Sequence, residues 1–312
     1  MSATDITDRE KQLMHVFVTG ASGWIGSAVS VELISRGHQV TGLARSEKSA
    51  AAVAAIGATP LLGSLDDIDV LASGAAAADA VAHLGFKHDF SDMASSGRTE
   101  RAALETMLGA LEGSDRALLL ASGLAGLTPG RVATELDVNP AVGVDSMRGG
   151  GENLALSFVD RGVRAIAARF APSVHGDGDH GFIAAITAAA VRAGVSVYAG
   201  DGSNRWPAVN RADAAALVVT ALESAPAGSI VHASDEEAIP TREIAEAIGS
   251  ALGLPVASVT AEQLTEALGF IGRVYGADIP ASSLLTRKRL GWAPTHQGLL
   301  ADIAAGYYTP RA

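Results

Sequence analysis

The feature of this sequence that most limits its possible folds is a glycine-rich segment at residues 19–26, Thr-Gly-Ala-Ser-Gly-Trp-Ile-Gly. It follows a short apolar run and precedes a segment with helical periodicity. In such a strand–turn–helix unit, Gly20 permits the tight turn, Gly23 lets backbone amides approach a phosphate, and Gly26 lets the helix pack closely on the strand. The amides and dipole of the helix N-terminus favour an anion. The segment therefore predicts a turn that binds the pyrophosphate of a dinucleotide.

The rest of the chain alternates short apolar runs with longer alanine-rich segments, which is typical of βα units and a parallel sheet. We predict an α/β fold, a Rossmann doubly wound parallel sheet with a smaller C-terminal α+β substrate lobe. The predicted boundaries are a flexible tail at 1–13, a dinucleotide-binding domain at 14–172 and a mainly substrate-binding lobe at 173–312. Parts of 205–235 are expected to return to the first domain, and one long helix is predicted at 145–161. The main strands are predicted at 16–19, 39–43, 59–62, 80–83, 117–121 and 164–169.

Composition narrows the class of protein. Hydrophobic residues make up 48% of the chain and charged residues 18%, a balance that favours a folded globular protein. The net charge of −11 disfavours nucleic acid as a partner. The chain has no cysteine, which excludes disulfides and thiolate zinc sites. No apolar run is long enough to span a membrane and residues 1–13 do not resemble a signal peptide, so we expect a cytoplasmic protein.

The choice of cofactor depends on the end of the second predicted strand. An acidic residue there would accept a hydrogen bond from the adenosine ribose and favour NAD. The sequence instead has Arg45 followed by Ser46. A guanidinium beside a hydroxyl suits a 2′-phosphate, so we predict NADP, with NAD less favoured. The alternative for Arg45 is a solvated surface arginine.

These motifs resemble the short-chain dehydrogenase/reductase superfamily, in its extended or atypical branch related to NAD-dependent epimerases and dehydratases. The likeness extends from Met14 to about Tyr308 and includes the Thr-Gly-x-x-Gly-x-x-Gly spacing. Other matching segments lie at 82–85, 119–122 and 169–176. Late signatures are at 206–213 and 290–294. The resemblance implies that the cofactor contacts Gly20, Ser22, Gly23, Trp24, Ile25, Gly26, Arg45, Ser46, Leu65, Leu84, Gly85, Ser122, Pro172 and Val174.

The resemblance also implies hydride exchange assisted by a serine, a tyrosine and a lysine four residues after that tyrosine. Ser122 stands at the serine position. If Glu152 is the glutamate that often follows the lysine, Arg148 stands at the lysine position and Val144 at the tyrosine position. The family's accessory asparagine is replaced by Glu100. Arg148 can bind an oxygen by hydrogen bonds but cannot serve as a proton source near neutral pH.

A proton donor near neutral pH must be a titratable group within reach of the reacting oxygen, and histidine suits that pH. His88 follows the fourth predicted strand and His180 lies just past the sixth. Open α/β sheets bind ligands at these carboxyl ends. We therefore predict Ser122, Arg148, His180 and His88 as catalytic residues, with an ordinary loop hydrogen bond as the alternative for each histidine.

Several residues near the same edge are predicted to contact substrate. Phe86, Phe182 and Trp206 would form an apolar wall, with core packing as the alternative, and His175 would lie beside them. The His and Asp residues at 175–180 also have a spacing that can ligate zinc or manganese. Their glycine content favours a tight loop, and we predict no metal site.

Three functions are compatible with these features. The leading prediction is an NADP-dependent oxidoreductase that reduces a ketone- or aldehyde-type small molecule by hydride transfer. The alternatives are a nucleotide-sugar epimerase or dehydratase-like enzyme and a non-catalytic NADP-binding sensor or scaffold. A homodimer through the helices at 97–112 and 145–161 is also expected from the resemblance.

Overall fold

One large parallel sheet and two small sheets organise the described part of the molecule. The computed structural model describes residues 13–87, 92–128 and 130–310. Its strands are β1 His15–Thr19, β2 Gln39–Ala44, β3 Thr59–Leu62, β4 Ala80–His83, β5 Ala117–Gly123, β6 Arg164–Phe170, β7 Ser173–His175, β8 Ser196–Ala199, β9 Arg205–Asn210, β10 Ser229–Ala233, β11 Glu236–Pro240 and β12 Val256–Val259.

The helices flank these strands. They are α1 Trp24–Ser35, α2 Glu47–Ala55, α3 Ile68–Ala76, α4 Met93–Leu111, α5 Gly151–Ser157, α6 Phe182–Ala193, α7 Arg211–Ser224, α8 Thr241–Leu252, α9 Ala261–Leu268, α10 Phe270–Tyr275, α11 Leu284–Leu290 and α12 Leu299–Ala304. Within the described residues, none of these helices combines the length and apolar character needed to cross a membrane.

The large sheet has seven parallel strands in the order β3-β2-β1-β4-β5-β6-β10. Alternate residues of β1 enter different cores, because Val16 and Val18 face one cluster and Phe17 faces the other. The first core includes Leu33 of α1, and the second includes Leu104 of α4. Helices on both faces explain why the strands are continuously apolar. The predicted Rossmann doubly wound fold is confirmed.

A smaller α+β lobe follows the sixth strand of the chain. Its strands form a three-stranded sheet, β11-β9-β7, and a parallel pair, β12-β8. A third core fills this lobe around the fully buried Trp206 and Tyr275. The chain returns to the large sheet through α7, which packs on α1, and β10, which pairs with β6.

The predicted helix at 145–161 is wrong in its first half. Residues Met147–Gly150 form a 3-10 turn instead, and the α-helix begins at Gly151. Arg148 and Gly149 have φ of 52° and 57°, outside the helical region. A Cβ on Gly149 would lie 2.5 Å from the carbonyl oxygen of Gly97, because the backbone of this turn packs directly on α4. Three successive glycines, 149–151, allow the backbone to take this path.

The glycine turn between β1 and α1 is packed backbone against backbone. Gly20 has φ of +70°, and a Cβ there would lie 2.8 Å from the backbone nitrogen of Gly85. A Cβ on Gly26 would lie 2.1 Å from the carbonyl oxygen of Gly20. Side chains at these positions would force the turn, the helix and the end of β4 apart.

We predict that Gly26→Ala destabilises the protein by about 1–3 kcal/mol, because the added methyl group overlaps the turn. Gly109→Ala is the matched control, since Gly109 lies within α4 and a Cβ there has no atom within 4 Å. That control should instead stabilise the protein by roughly 0.4–1 kcal/mol, because alanine favours a helix over the unfolded chain. Urea unfolding measures both, and equal effects of the two substitutions would contradict this account.

Candidate functional site

The carboxyl ends of β1 and β4 form a cradle that fits a dinucleotide. Helix α1 begins after Gly23, which supplies no side-chain cap, and Ser22 and Gly23 are exposed. The amides of the first helical turn are therefore available to an anion. Ile25 is half-buried behind them. Gly20 packs against the backbone of Gly85, and the exposed Gly23 has no side chain, which fits close approach of a pyrophosphate.

Four of the predicted cofactor contacts lie at or just past the carboxyl ends of β2, β3 and β4. Arg45 is exposed just past β2, and it makes no hydrogen bond or ion pair within the described residues. Ser46 caps α2 by accepting a hydrogen bond from the Ser49 backbone amide. Leu65 and Leu84 are half-buried, each packed against one of the two cores of the large sheet.

A buried histidine that sequence reasoning did not select lies beneath the cradle. His83 Nδ1 is 2.7 Å from Thr19 Oγ1, and the amide of Gly85 donates to the same oxygen. Burial, and then the charge of Arg148, lower the pKa of His83 to about 3. Its Nε2 is buried and has no partner in the described part of the chain. The signal was available, because this histidine is the last residue of an apolar strand.

Arg148 and Glu100 form a buried ion pair at the same edge of the sheet. The Nε of Arg148 donates to Oε2 of Glu100 at 3.0 Å, and Nη2 donates to Oε1. The Arg148 side chain is 27% exposed and that of Glu100 only 1%. The guanidinium also lies 4.6 Å from the centre of the Phe86 ring. The two residues that replace the family's lysine and asparagine therefore bind each other.

Burial is the largest influence on the pKa of Glu100 in this pair. Burial raises the pKa of Glu100, and the charge and hydrogen bonds of Arg148 oppose that rise. Both donors of one edge of the Arg148 guanidinium face the carboxylate, while Nη1 takes part in no hydrogen bond among the described residues. The neighbouring Arg101 holds the turn by donating to the carbonyl oxygen of Gly149 at 2.9 Å.

Ser122 belongs to a second buried network. Its hydroxyl donates to Glu152 at 2.6 Å, and Asn139 donates to the same carboxylate oxygen at 3.1 Å. Arg169 completes the network through Nε and Nη2. Burial alone would raise the pKa of Glu152, but Arg169, Ser122 and Asn139 bring it below its ordinary value. Glu152 therefore stays ionised, and the hydroxyl hydrogen of Ser122 points toward it.

The two predicted histidine acids differ in what the structure shows. His88 lies outside the described residues. His180 is exposed, and its ring meets the edge of Trp24 with centroids 5.6 Å apart. The indole nitrogen of Trp24 donates to the carbonyl oxygen of Val174 at 2.7 Å, next to the half-buried Pro172. The structure thus joins the start of α1 to the segment after β6.

Two of the predicted substrate contacts lie inside the C-terminal lobe. Trp206 is fully buried against Tyr275, which is the core packing that the sequence left open. His175 is also fully buried, with Nδ1 2.6 Å from Asp302. Neither side chain can touch a substrate in this arrangement, because neither has an accessible surface. Phe182 is half-buried and packs on the ring of Trp206.

The 175–180 loop is held by protein contacts. Asp179 accepts hydrogen bonds from the amide of Gly181 and the hydroxyl of Tyr308. Burial raises the pKa of this carboxyl group. Among the residues that the structure describes, no group of three His, Asp or Glu side chains could hold a metal ion.

Comparisons with known proteins agree with this geometry. Residues 16–124 match the model of the NAD dependent epimerase/dehydratase family. An uncharacterized protein of Schizosaccharomyces pombe is 45% identical over 296 residues, covering 95% of this chain and 100% of that protein. An uncharacterized protein of Saccharomyces cerevisiae is 43% identical over 300 residues, covering 94% of this chain and 99% of that protein.

Among solved structures, the dTDP-glucose 4,6-dehydratase DesIV of Streptomyces venezuelae, determined with NAD bound, superimposes with a TM-score of 0.75. It is 19% identical, and the match covers 94% of this chain and 96% of that one, which shows a shared fold. From these near-full-length relatives, the family match and the glycine cradle, we conclude that the chain belongs to the NAD dependent epimerase/dehydratase family of the short-chain dehydrogenase/reductase superfamily.

Proposed function

We propose that this protein is an NADP-dependent oxidoreductase that reduces the carbonyl group of a ketone- or aldehyde-type small molecule. The observation that carries the proposal is the position of Arg148. Its guanidinium lies beside the dinucleotide cradle, with Nη1 unpartnered among the described residues. A fixed cation with an unused N–H suits a carbonyl oxygen that gains negative charge during reduction.

The roles of the side chains follow from their hydrogen bonds. When bound, the reduced nicotinamide supplies a hydride to the carbonyl carbon, the C=O electron pair moves to oxygen, and a proton completes the alcohol. Arg148 holds the oxygen and stabilises its charge, and Glu100 fixes the guanidinium. Arg148 keeps its own proton, because guanidinium does not deprotonate in proteins.

The proton must come from another group. The hydroxyl hydrogen of Ser122 points to the ionised Glu152. In this orientation the Ser122 oxygen can accept a hydrogen bond from a ligand, and it donates one only after the hydroxyl group rotates. Water at the open edge of the sheet or the exposed His180 can supply the proton. His88, which follows β4 in the sequence, remains a predicted proton donor. This assignment replaces the family's tyrosine, whose position is taken by Val144.

Preference for NADP rests on Arg45 and Ser46. The exposed guanidinium stands at the carboxyl end of β2, beside the strand that leads into the glycine turn. No acidic residue occupies this position to bind a ribose hydroxyl. Arg45 would form charge-assisted hydrogen bonds with the 2′-phosphate.

We predict that Arg45→Ala weakens NADPH binding by about 10- to 100-fold, the order expected for loss of a charged contact. Binding of NADH should change less than about threefold, because NADH lacks the phosphate. Arg192→Ala, which removes an exposed arginine of α6, serves as the control. Titration of both cofactors by intrinsic fluorescence measures the effect. Equal losses for NADPH and NADH would rule out a 2′-phosphate contact.

We predict that Arg148→Gln lowers kcat/KM for an aldehyde by about 10²- to 10³-fold, because the oxygen loses its charged donor. NADPH affinity should stay within about threefold, since the cradle is built from other residues. Arg148→Lys should recover part of the rate. The assay follows NADPH absorbance, and thermal melting identifies any variant that fails to fold. A fully active Arg148→Gln protein would refute this role.

The alternatives make different predictions. The family match and the fold shared with DesIV favour an epimerase or dehydratase that retains its cofactor. That function predicts NAD bound to the purified protein and conversion of a nucleotide sugar without net NADPH consumption. Replacement of the tyrosine and lysine favours a non-catalytic NADP sensor, which predicts tight NADPH binding and no turnover with any carbonyl compound.

A further inference from the structure

The charged groups around the candidate site are paired in a way that limits what it can bind. A carboxylate or phosphate is recognised best by two parallel N–H donors on one edge of an arginine. In Arg148 that edge, Nε and Nη2, is occupied by Glu100. In Arg169 it is occupied by Glu152. On both arginines the edge that suits bidentate binding is therefore occupied by the protein's own carboxylates.

Other basic side chains nearby follow the same pattern. The Nζ of Lys87, the residue after Phe86, lies 2.7 Å from Oδ1 of Asp66, and Arg101 forms an ion pair with Glu105. In the C-terminal lobe, the Nε and Nη2 of Arg205 donate to Asp278, and the backbone amide of Arg205 does so as well. Arg45 and Arg211 differ. Arg45 is exposed and makes no ion pair within the described residues. Arg211 lies over the Trp24 ring and donates to the carbonyl oxygen of Trp24 and the hydroxyl of Ser27.

Exposed apolar side chains lie on the loop between the two buried networks, together with the exposed acidic residue Asp145. The loop between Asn139, which binds Glu152, and Arg148 carries Val142 and Val144, which are 72% and 44% exposed. Val138, on the other side of Asn139, is 78% exposed. Two carbonyl groups of the loop are turned inward, since Asn153 donates to the carbonyl oxygens of Asn139 and Ala141. Exposed apolar groups beside a candidate site are typical of ligand contacts.

We infer that the substrate is a neutral, largely apolar carbonyl compound, and that Glu100 is the residue that excludes anionic ones. This inference rests on the proposed carbonyl reduction. Arg148 keeps one donor, Nη1, which is enough for a carbonyl oxygen but not for bidentate binding of a carboxylate. At Arg148 an anion would meet a guanidinium whose two-donor edge is already occupied by Glu100.

The test compares 4-formylbenzoate with its methyl ester, which lacks the negative charge and carries one additional methyl group. We expect the wild-type protein to reduce the ester with a kcat/KM at least about tenfold higher, the order of one partly desolvated charge contact. Glu100→Gln exposes the positive charge of Arg148 and should raise the carboxylate-to-ester ratio by about tenfold. The control is Glu105→Gln on the same helix, where the exposed partner of Arg101 is changed and the ratio should stay constant.

Calorimetric titration of both compounds into the NADP-loaded protein tests the ligand class without turnover. Tighter binding of the ester supports the inference even if no alcohol forms, in which case the proposed reduction fails and the ligand class stands. Tighter binding of the carboxylate, or no binding of either compound, overturns the inference. If Glu100→Gln does not fold in a thermal melt, the wild-type ratio alone decides.

Discussion

Backbone contact between glycines where β1 leads into α1 is the constraint on which the rest of the structure depends. Gly20, Gly26 and Gly85 bring the turn, the helix and the end of β4 together, and the distances at Gly20 and Gly26 exclude a Cβ. This contact places the N-terminus of α1 at the carboxyl edge of the sheet. It also sets the floor of the cradle, where Thr19 binds both His83 and Gly85. Every residue assigned to the site is positioned relative to that floor.

The departure from the family's tyrosine and lysine is compensated in structure. Arg148, which the resemblance sets at the lysine position, lies on a left-handed turn, and Glu100, which it sets at the asparagine position, lies on α4. A non-glycine residue with φ of 52° is costly unless its surroundings hold it. Here the ion pair to Glu100 and the contact of Arg101 with Gly149 hold it. The altered residues thus form one unit that keeps a cation near the cradle.

Local sequence patterns predicted the part of the fold that local physics determines. Strands β3 and β4 begin and end where the apolar runs do, and the glycine spacing predicted the first turn. The turn at Met147–Gly150 could not be predicted, because its left-handed backbone depends on Gly97, about fifty residues earlier in the chain. The short strands β7, β9, β11 and β12 form through contacts distant in sequence, and such contacts override weak local preferences.

The site was predictable in its parts but not in its pairings. The sequence identified Arg148 and Glu100 separately as replacements, but only the fold shows that they bind each other across 48 positions. Glu152 served to align the motif, yet the structure shows that it takes the hydroxyl hydrogen of Ser122. Burial excludes two of the predicted substrate contacts, since Trp206 and His175 have residue types that suit a substrate site but no accessible surface.

The most direct measurement is a crystal structure of the complex with NADP and methyl 4-formylbenzoate. The account predicts the pyrophosphate on the first-turn amides of α1 and the 2′-phosphate beside Arg45. It also predicts the aldehyde oxygen within hydrogen-bond distance of Nη1 of Arg148, with Glu100 still bound to Nε and Nη2. A complex in which the dinucleotide lies elsewhere, or in which the aldehyde oxygen does not contact Arg148, would contradict it.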